Sequence, residues 1–368
     1  MSKAADLANL IGNINAGGGG GTNKNLVING AMNVFQRSTS ETGLGASDGY
    51  HTADRITFSF NSDGRLTSTQ DSSAPSGFNN SLKLDCTTAD TSVGSGDYLF
   101  ISTRFEGQDL QRFAKGTSDA KPFAVSFYVK GNASATYVCE LFDEDNSRQI
   151  SKTFNVTTDW TRVELTFPAD TTGAFDDDNA RSLDLSIWLH AGSNYTSGTL
   201  NSSAWASNTN ANRAVGISSF YDSTDRTFFI TGVQLEVGQN PTEFEHEPYA
   251  TTLEKCLRYF YAVVPKGVNI GYIAPAWFYS SSTMVAILDH KVEMRAPPTV
   301  ESVDATDDFL FYRTSTYDGF NDLSISAPSS TKCTAVYNAS DVSGSTGHAG
   351  GIFVNDTTNC FLYLKAEL

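Results

Sequence analysis

The stretch Pro122–Gly131, PFAVSFYVKG, decides the fold. Phe123, Val125, Phe127 and Val129 alternate with Ala124, Ser126, Tyr128 and Lys130. A period of two puts alternate side chains on opposite faces of an extended chain, so this is a half-buried strand. The same period recurs on both sides. Ile56, Phe58 and Phe60 alternate in RITFSF (55–60), Val163, Leu165 and Phe167 in TRVELTF (161–167), and Leu183, Leu185, Ile187 and Leu189 in LDLSIWLHA (183–191). In FFITGVQLEVG (228–238) the alternating set reads Phe229, Thr231, Val233, Leu235 and Val237.

Turn signals separate these runs: NSDG (61–64), SAPSG (73–77), VKGNAS (129–134), DEDNS (143–147) and PADTTG (168–173). No helical spacer of the length a parallel crossover requires stands between them. The expected fold is all-β, an antiparallel jelly-roll β-sandwich over residues 25–250.

At 368 residues the chain exceeds the roughly 250–300 residues that one core comfortably serves. A break is expected at NPTEFEHEPYATTLEKCLRYFYAV (240–263), where Pro241 and Pro248 bracket the boundary and Thr251–Leu257 reads as one or two helical turns. Strand signals resume in MVAILDHKVEM, FLFYR, LSISA, TAVYNA, GIFVN and FLYLKAEL. Residues 251–368 are therefore expected to form a smaller C-terminal β-sandwich.

Residues 1–24 are read as an appendage. Ser2 can cap a short helix with Ala5, Leu7, Ala8, Leu10 and Ile11 on one apolar face, and Gly12 and Asn13 stop it. About ten residues do not hold a helix alone in water. The consecutive residues Gly17, Gly18, Gly19, Gly20 and Gly21 uncouple it from the body and read as a hinge. That makes Leu7, Leu10 and Ile11 candidates for an anchor that docks on a partner. The opening MSKAADLANLIGN carries Asp6 and no continuous apolar run, so it is not read as a signal peptide.

Charge and composition narrow the function. The net charge is −16, which offers no basic footprint for nucleic acid, and no apolar run approaches the ~20 residues of a membrane span. Charged residues make up 18%, below the roughly 25% of ordinary soluble domains, and aromatics make up 12%. That mix suits strands joined by polar turns. Cys86, Cys139, Cys256, Cys333 and Cys360 form no CxxC pair. His51, His190, His246, His290 and His348 each stand alone, as surface or packing residues would. Neither a zinc site nor a disulfide framework is expected, and the thiols suit folding in a reducing cytoplasm.

The densest carboxylates are FDEDNS (142–147) and FDDDNA (175–180), both read as solvated hairpin turns. Asp176, Asp177 and Asp178 are a weak candidate for a structural Ca²⁺, without the D-x-D-x-D-G spacing of a calcium loop. No nucleophile elbow and no phosphate loop is present, and no catalytic residue or cofactor is expected. Sugars are bound by aromatic faces with amide and hydroxyl groups around them. Two stretches offer that combination. HAGSNYTSGTLNSSAWASNTNANRAVG (190–216) holds Tyr195 and Trp205; GYIAPAWFYSSS (271–282) holds Tyr272, Trp277, Phe278 and Tyr279. Tyr195, Trp205, Trp277 and Tyr279 are the glycan-binding candidates; packing in the core, as a loop anchor or against a neighbouring subunit is the alternative reading of these aromatic residues.

KNLVINGAMNVFQRSTS (24–40), EGQDLQRFAKGTSDAKPFAVSFYVKG (106–131), TFFITGVQLEVGQNPTEFEHEPYATTLEKCLRYF (227–260), VEMRAPPTV (292–300) and YLKAEL (363–368) together resemble a module of tailed-bacteriophage tail fibres and related virion proteins. The opening MSKAADLANLIGN also resembles the start of such fibres. The resemblance spans residues 25–368, and the junction from ITGVQLEVG to CLRYF is its most specific part. It implies a carbohydrate-binding-module-like jelly roll on a virion, a homotrimer, an N-terminus bound to other virion tail proteins, and host-surface attachment, with glycan as a possible receptor. It also implies synthesis in the bacterial cytoplasm and release by lysis. A capsid-attached fibre or decoration protein built from the same parts is the alternative. A polysaccharide depolymerase is the third reading, without the repetitive β-helix pattern such enzymes show. No site residue is transferred from the family.

Overall fold

The computed structural model describes residues 23–268, 271–303, 307–314, 316–325, 330–355 and 360–368. The anchor candidates Leu7, Leu10 and Ile11 lie outside the described residues, and so does the hinge of Gly17, Gly18, Gly19, Gly20 and Gly21. By its internal contacts the chain divides into two units. One holds residues up to Phe35, Thr39–Tyr249 and Leu368; the other holds Gln36–Ser38 and Ala250–Glu367.

In the first unit the described strands are β1 (Ser40–Leu44), β2 (Gly49–Tyr50), β3 (Thr57–Asn61), β4 (Arg65–Asp71), β5 (Ser81–Thr88), β6 (Tyr98–Glu106), β7 (Phe123–Gly131), β8 (Ala135–Asp143), β9 (Arg148–Val156), β10 (Thr161–Phe167), β11 (Arg181–Ala191), β12 (Ala206–Ser207) and β13 (Thr227–Val237). Short helices α1 (Gly107–Leu110) and α2 (Ser193–Thr196) sit in the connections. One sheet runs β1-β4-β5-β13-β7-β10 and the other β12-β9-β8-β11-β6-β3-β2. The pairings are antiparallel, and the sandwich is of jelly-roll type. The inward residues of both sheets form one core, with Phe123, Val125, Phe127 and Val129 fully buried at its centre.

The alternation in β13 differs from the sequence expectation. Phe228 and Ile230 enter the core in the first half of the strand, in place of Phe229 and Thr231; Val233 and Leu235 enter it in the second half. The cause is a bulge between Thr231 and Gln234, built on Gly232 at φ +64°. One extra residue reverses the parity of everything before it, and only glycine adopts that backbone freely.

The junction beyond β13 is a hydrogen-bonded clamp. Gln234 accepts the Glu245 amide and donates to Glu236, whose carboxylate takes the Thr242 amide and hydroxyl. Glu245 in turn accepts the amides of Asn23 and Asn25. Asn25 Oδ1 accepts from the Leu235 amide, and the Leu26 amide donates to the Leu235 carbonyl. Gln234 and Glu236 are buried, so each bond avoids a desolvation penalty of about 1–3 kcal/mol. The VQLEVG…EFE segment thus fixes the N-terminal strand-like segment along β13.

Helix α3 (Tyr249–Leu257) precedes the second set of strands: β14 (Phe260–Val264), β15 (Tyr272–Ser280), β16 (Thr283–Asp289), β17 (Thr299–Ser302), β18 (Phe309–Arg313), β19 (Thr316–Phe320), β20 (Ser324–Ile325), β21 (Cys333–Asn338), β22 (Ala349–Val354) and β23 (Leu362–Lys365). They form a three-stranded sheet, β14-β23-β17, and a seven-stranded sheet, β19-β18-β22-β15-β16-β21-β20. Both contribute to one separate core that includes Phe278, Met284, Phe309, Phe311, Ile352 and Leu364.

Candidate functional site

Strand β15 has two unlike faces. Ala274, Ala276 and Phe278 are buried in the core, and the intervening side chains point away from it. Trp277 is 38% exposed and Tyr279 72% exposed. Register extends that outer face sideways. Trp277 lies between Ala349 of β22 and Val285 of β16, and Val285 lies beside Tyr337 of β21. Two residues along, Pro275 pairs with Gly351, Gly351 with Tyr312, and Tyr312 with Tyr317. Directly opposed residues in an antiparallel pair share a face. Tyr312 and Tyr317 therefore stand on the same face as Trp277, 48% and 62% exposed. Phe353 joins the rows, with ring centroids 5.4 Å from Tyr272 and 6.0 Å from Tyr312.

Among the described residues these strands place no lysine or arginine on that face. Arg313 goes to the opposite side, stacks over Phe278 at 4.6 Å and pairs with Asp318. The result around Trp277 is an uncharged surface of exposed indole and phenol groups, with Ile287 among them and Asp289 at its margin. Exposed apolar patches of this kind mark binding surfaces. Rings lie flat against sugar C–H faces and phenol hydroxyls bond sugar hydroxyls. Trp277 and Tyr279, both candidates from the sequence, belong to it. Tyr312 and Tyr317 were missed, because only strand pairing brings β18 and β19 beside β15.

The candidates in the first unit have other roles. Trp205 is a core residue, 7% exposed. Its ring packs on Phe123 at 5.4 Å and its Nε1 donates to the Pro168 carbonyl at 2.9 Å, so no sugar reaches it in this arrangement. Tyr195, in α2, is half-buried with its ring against Tyr98 and Trp188. The loop after β11 is folded down on the outer face of the seven-stranded sheet of this unit. Arg213 forms a two-pronged pair with the fully buried Glu140, which also accepts from Trp188 Nε1 at 2.8 Å. The guanidinium covers Trp188 at 4.9 Å. For this loop the packing alternative holds: it is a pinned cover, with Trp205 as one of its anchors.

The acidic runs also resolve differently. Asp176, Asp177 and Asp178 do not converge on a common point: Asp178 Oδ1 accepts from the Ala180 amide, and the Asp176 amide donates to Asp145. Among the described residues the carboxylate and imidazole groups that do converge are Asp90, Asp97 and His190. Asp143, read as part of a solvated turn, is fully buried and paired with Lys115.

No protein-family model and no curated protein matches the chain. Solved structures match part of it. A structure titled "CBM4 structure and function" is 11% identical over 57% of this chain and 99% of its own, with a TM-score of 0.30. The enzymatically active domain of tailspike protein 4 of bacteriophage CBA120 is 10% identical over 58% of this chain and 21% of its own, with a TM-score of 0.30. The family 11 carbohydrate-binding module of Clostridium thermocellum, in complex with a β-1,3-1,4-mixed-linked tetrasaccharide, is 11% identical over 57% of this chain and 99% of its own, with a TM-score of 0.27. Overlaps this loose carry no argument about ligand or activity, and the all-β assignment rests on the sheets themselves.

Proposed function

We propose that the protein is a structural, non-enzymatic bacteriophage virion protein: a homotrimeric tail fibre, anchored through its N-terminus, that meets the host surface by recognising neutral glycans. The observation that carries the recognition is the uncharged aromatic face around Trp277, Tyr279, Tyr312 and Tyr317. A net charge of −16 repels anionic cell surfaces, so contact must come from stacking and hydrogen bonding rather than from charge steering. Trimer and anchor rest on the tail-fibre resemblance of the sequence.

The test is adsorption of the purified, fluorescently labelled full chain to host cells. The double variant Trp277→Ala/Tyr279→Ala is expected to bind at least about tenfold more weakly, about 1.4 kcal/mol. Its stability should fall by no more than about 2 kcal/mol, because Trp277 is partly covered but lies outside the core. Periodate oxidation of cell-surface glycans should remove binding by the parent, and protease treatment of the cells should not. Full adsorption by the double variant would sink the assignment of this face. Light scattering at micromolar concentration should give three chains per particle. A persistent monomer refutes the fibre; trimers that fall apart in the double variant would make the face an interface between copies instead.

A further inference from the structure

The sequence leaves His190 alone among strand residues, and the fold does not. One donor atom each from Asp90, Asp97 and His190 lies within 4.8 Å of the others. Asp90 follows β5, Asp97 stands immediately before β6, and His190 is the penultimate residue of β11. A bulge between Trp188 and His190 interrupts the ladder with β6 at this point, a device that re-aims side chains.

The cluster is built and incomplete. His190 is fully buried, and its Nδ1 lies 2.8 Å from Ser219 Oγ. Its Nε2 is buried with no hydrogen-bond partner. In the tautomer whose Nδ1–H donates to Ser219 Oγ, which also accepts the Tyr221 amide at 3.1 Å, Nε2 carries a free lone pair. The ring is held in that setting by Tyr221, 5.3 Å away at 69°. Asp90 Oδ1 accepts the Ser92 amide, and Asp97 Oδ2 accepts the Gly94 amide. Among the described residues no lysine or arginine is paired with either carboxylate. Beyond those two amide bonds, the carboxylates stand beside a buried imidazole whose Nε2 has no partner, an arrangement that a cation would complete. Burial pushes the imidazole toward its neutral form, while Asp90 and Asp97 pull the other way.

We propose that Asp90, Asp97 and His190 bind one divalent transition-metal ion of the zinc type. An imidazole nitrogen with two carboxylate oxygens suits zinc, whereas calcium takes oxygen donors alone. Ligands at about 2.0–2.2 Å around a tetrahedral ion stand about 3.4 Å apart, so the observed spacing closes with small side-chain shifts. Three protein ligands leave a fourth position for water. The hydrogen bond from Nδ1 to Ser219 is the outer contact that orients a metal-binding imidazole. The ion would tie the segment between β5 and β6 to the base of the loop that covers the seven-stranded sheet, since the Gly192 amide donates to the Asp97 carbonyl and the Asp90 amide to the Tyr221 carbonyl.

The experiment uses the full chain, stripped with EDTA, dialysed against zinc and assayed by elemental mass spectrometry. The expected uptake is about one zinc per chain, with a melting temperature above that of the stripped protein. Asp97→Asn, at the less buried ligand, should weaken zinc binding at least about tenfold without unfolding the metal-free protein. His190→Gln should do the same, and if it fails to fold, the Asp97→Asn result decides. Cobalt(II) in place of zinc should give visible bands of a low-coordinate nitrogen–oxygen site. No uptake, uptake of calcium but not zinc, or zinc uptake unchanged in Asp97→Asn would each overturn the proposal.

Discussion

A Lys115→Ala variant is expected to lose about 3–5 kcal/mol of folding stability, the cost of leaving a buried charge without its partner. Lys115 has no side-chain exposure, and its ammonium contacts Asp143, lies 3.2 Å from Asp170 and donates to the Thr172 and Gly173 carbonyls. Asp143 is fully buried and Asp170 5% exposed. Arg148 completes the group with two bonds to Asp170, at 2.7 and 3.0 Å. Burial pushes the Asp170 carboxyl up; Arg148, the Thr172 amide and Lys115 outweigh that and hold it below the usual carboxylate range. Its share of the stability is therefore present above the ordinary carboxylate value and fades as the pH falls through the depressed one. Removing the ammonium strands Asp143, which keeps only Asn146 as a neutral partner.

Urea denaturation measures the loss, and the midpoint of thermal unfolding should drop by roughly 6–20 °C for a unit of this size. The double variant Lys115→Met/Asp143→Asn removes both charges and should recover most of the loss, because Asp170 keeps Arg148. A single variant within about 1 kcal/mol of the parent, the worth of an exposed pair, would show that the cluster is solvated.

The legibility of the fold in the sequence depends on the kind of signal. Burial against one face writes a period of two into a strand, so Phe123–Val129 and Leu183–Leu189 were legible. A bulge is a backbone event with a side-chain consequence. Gly232 was visible, but nothing local says that it reverses the parity of Phe228 to Thr231. Acidic runs are ambiguous for another reason. FDEDNS looks like water-facing turn residues until Lys115, distant in sequence, is placed on Asp143. The cluster of Asp90, Asp97 and His190 is wholly a product of topology: Asp97 and His190 meet because β6 pairs with β11. The aromatic face lies between these cases. Trp277 and Tyr279 alternate on one strand and could be read; Tyr312 and Tyr317 required the register of β22, β18 and β19.

Trp205 and Trp277 looked alike in the sequence, each an indole in a neutral polar stretch, and they are expected to respond oppositely to truncation. Trp205→Ala should cost about 3–5 kcal/mol, the range for emptying a buried tryptophan site. The ring fills core volume against Phe123, and its Nε1 satisfies the Pro168 carbonyl. It also lies 5.4 Å from the Lys115 ammonium, so truncation loosens one wall of the buried ionic group. The losses from Trp205→Ala and Lys115→Ala should therefore fail to add, since the two side chains share one site. Trp205→Phe keeps most of the apolar volume and gives up the N–H; it should fall between parent and Ala, with about 1–3 kcal/mol set by the orphaned carbonyl. Trp277→Ala, by contrast, should cost no more than about 1–2 kcal/mol and show its main effect in adsorption. Denaturant titration of the three variants beside the adsorption assay separates the roles. If Trp205→Ala keeps full stability and loses adsorption, the indole is outside the core and the first unit's loop, not the β15 face, holds the sugar.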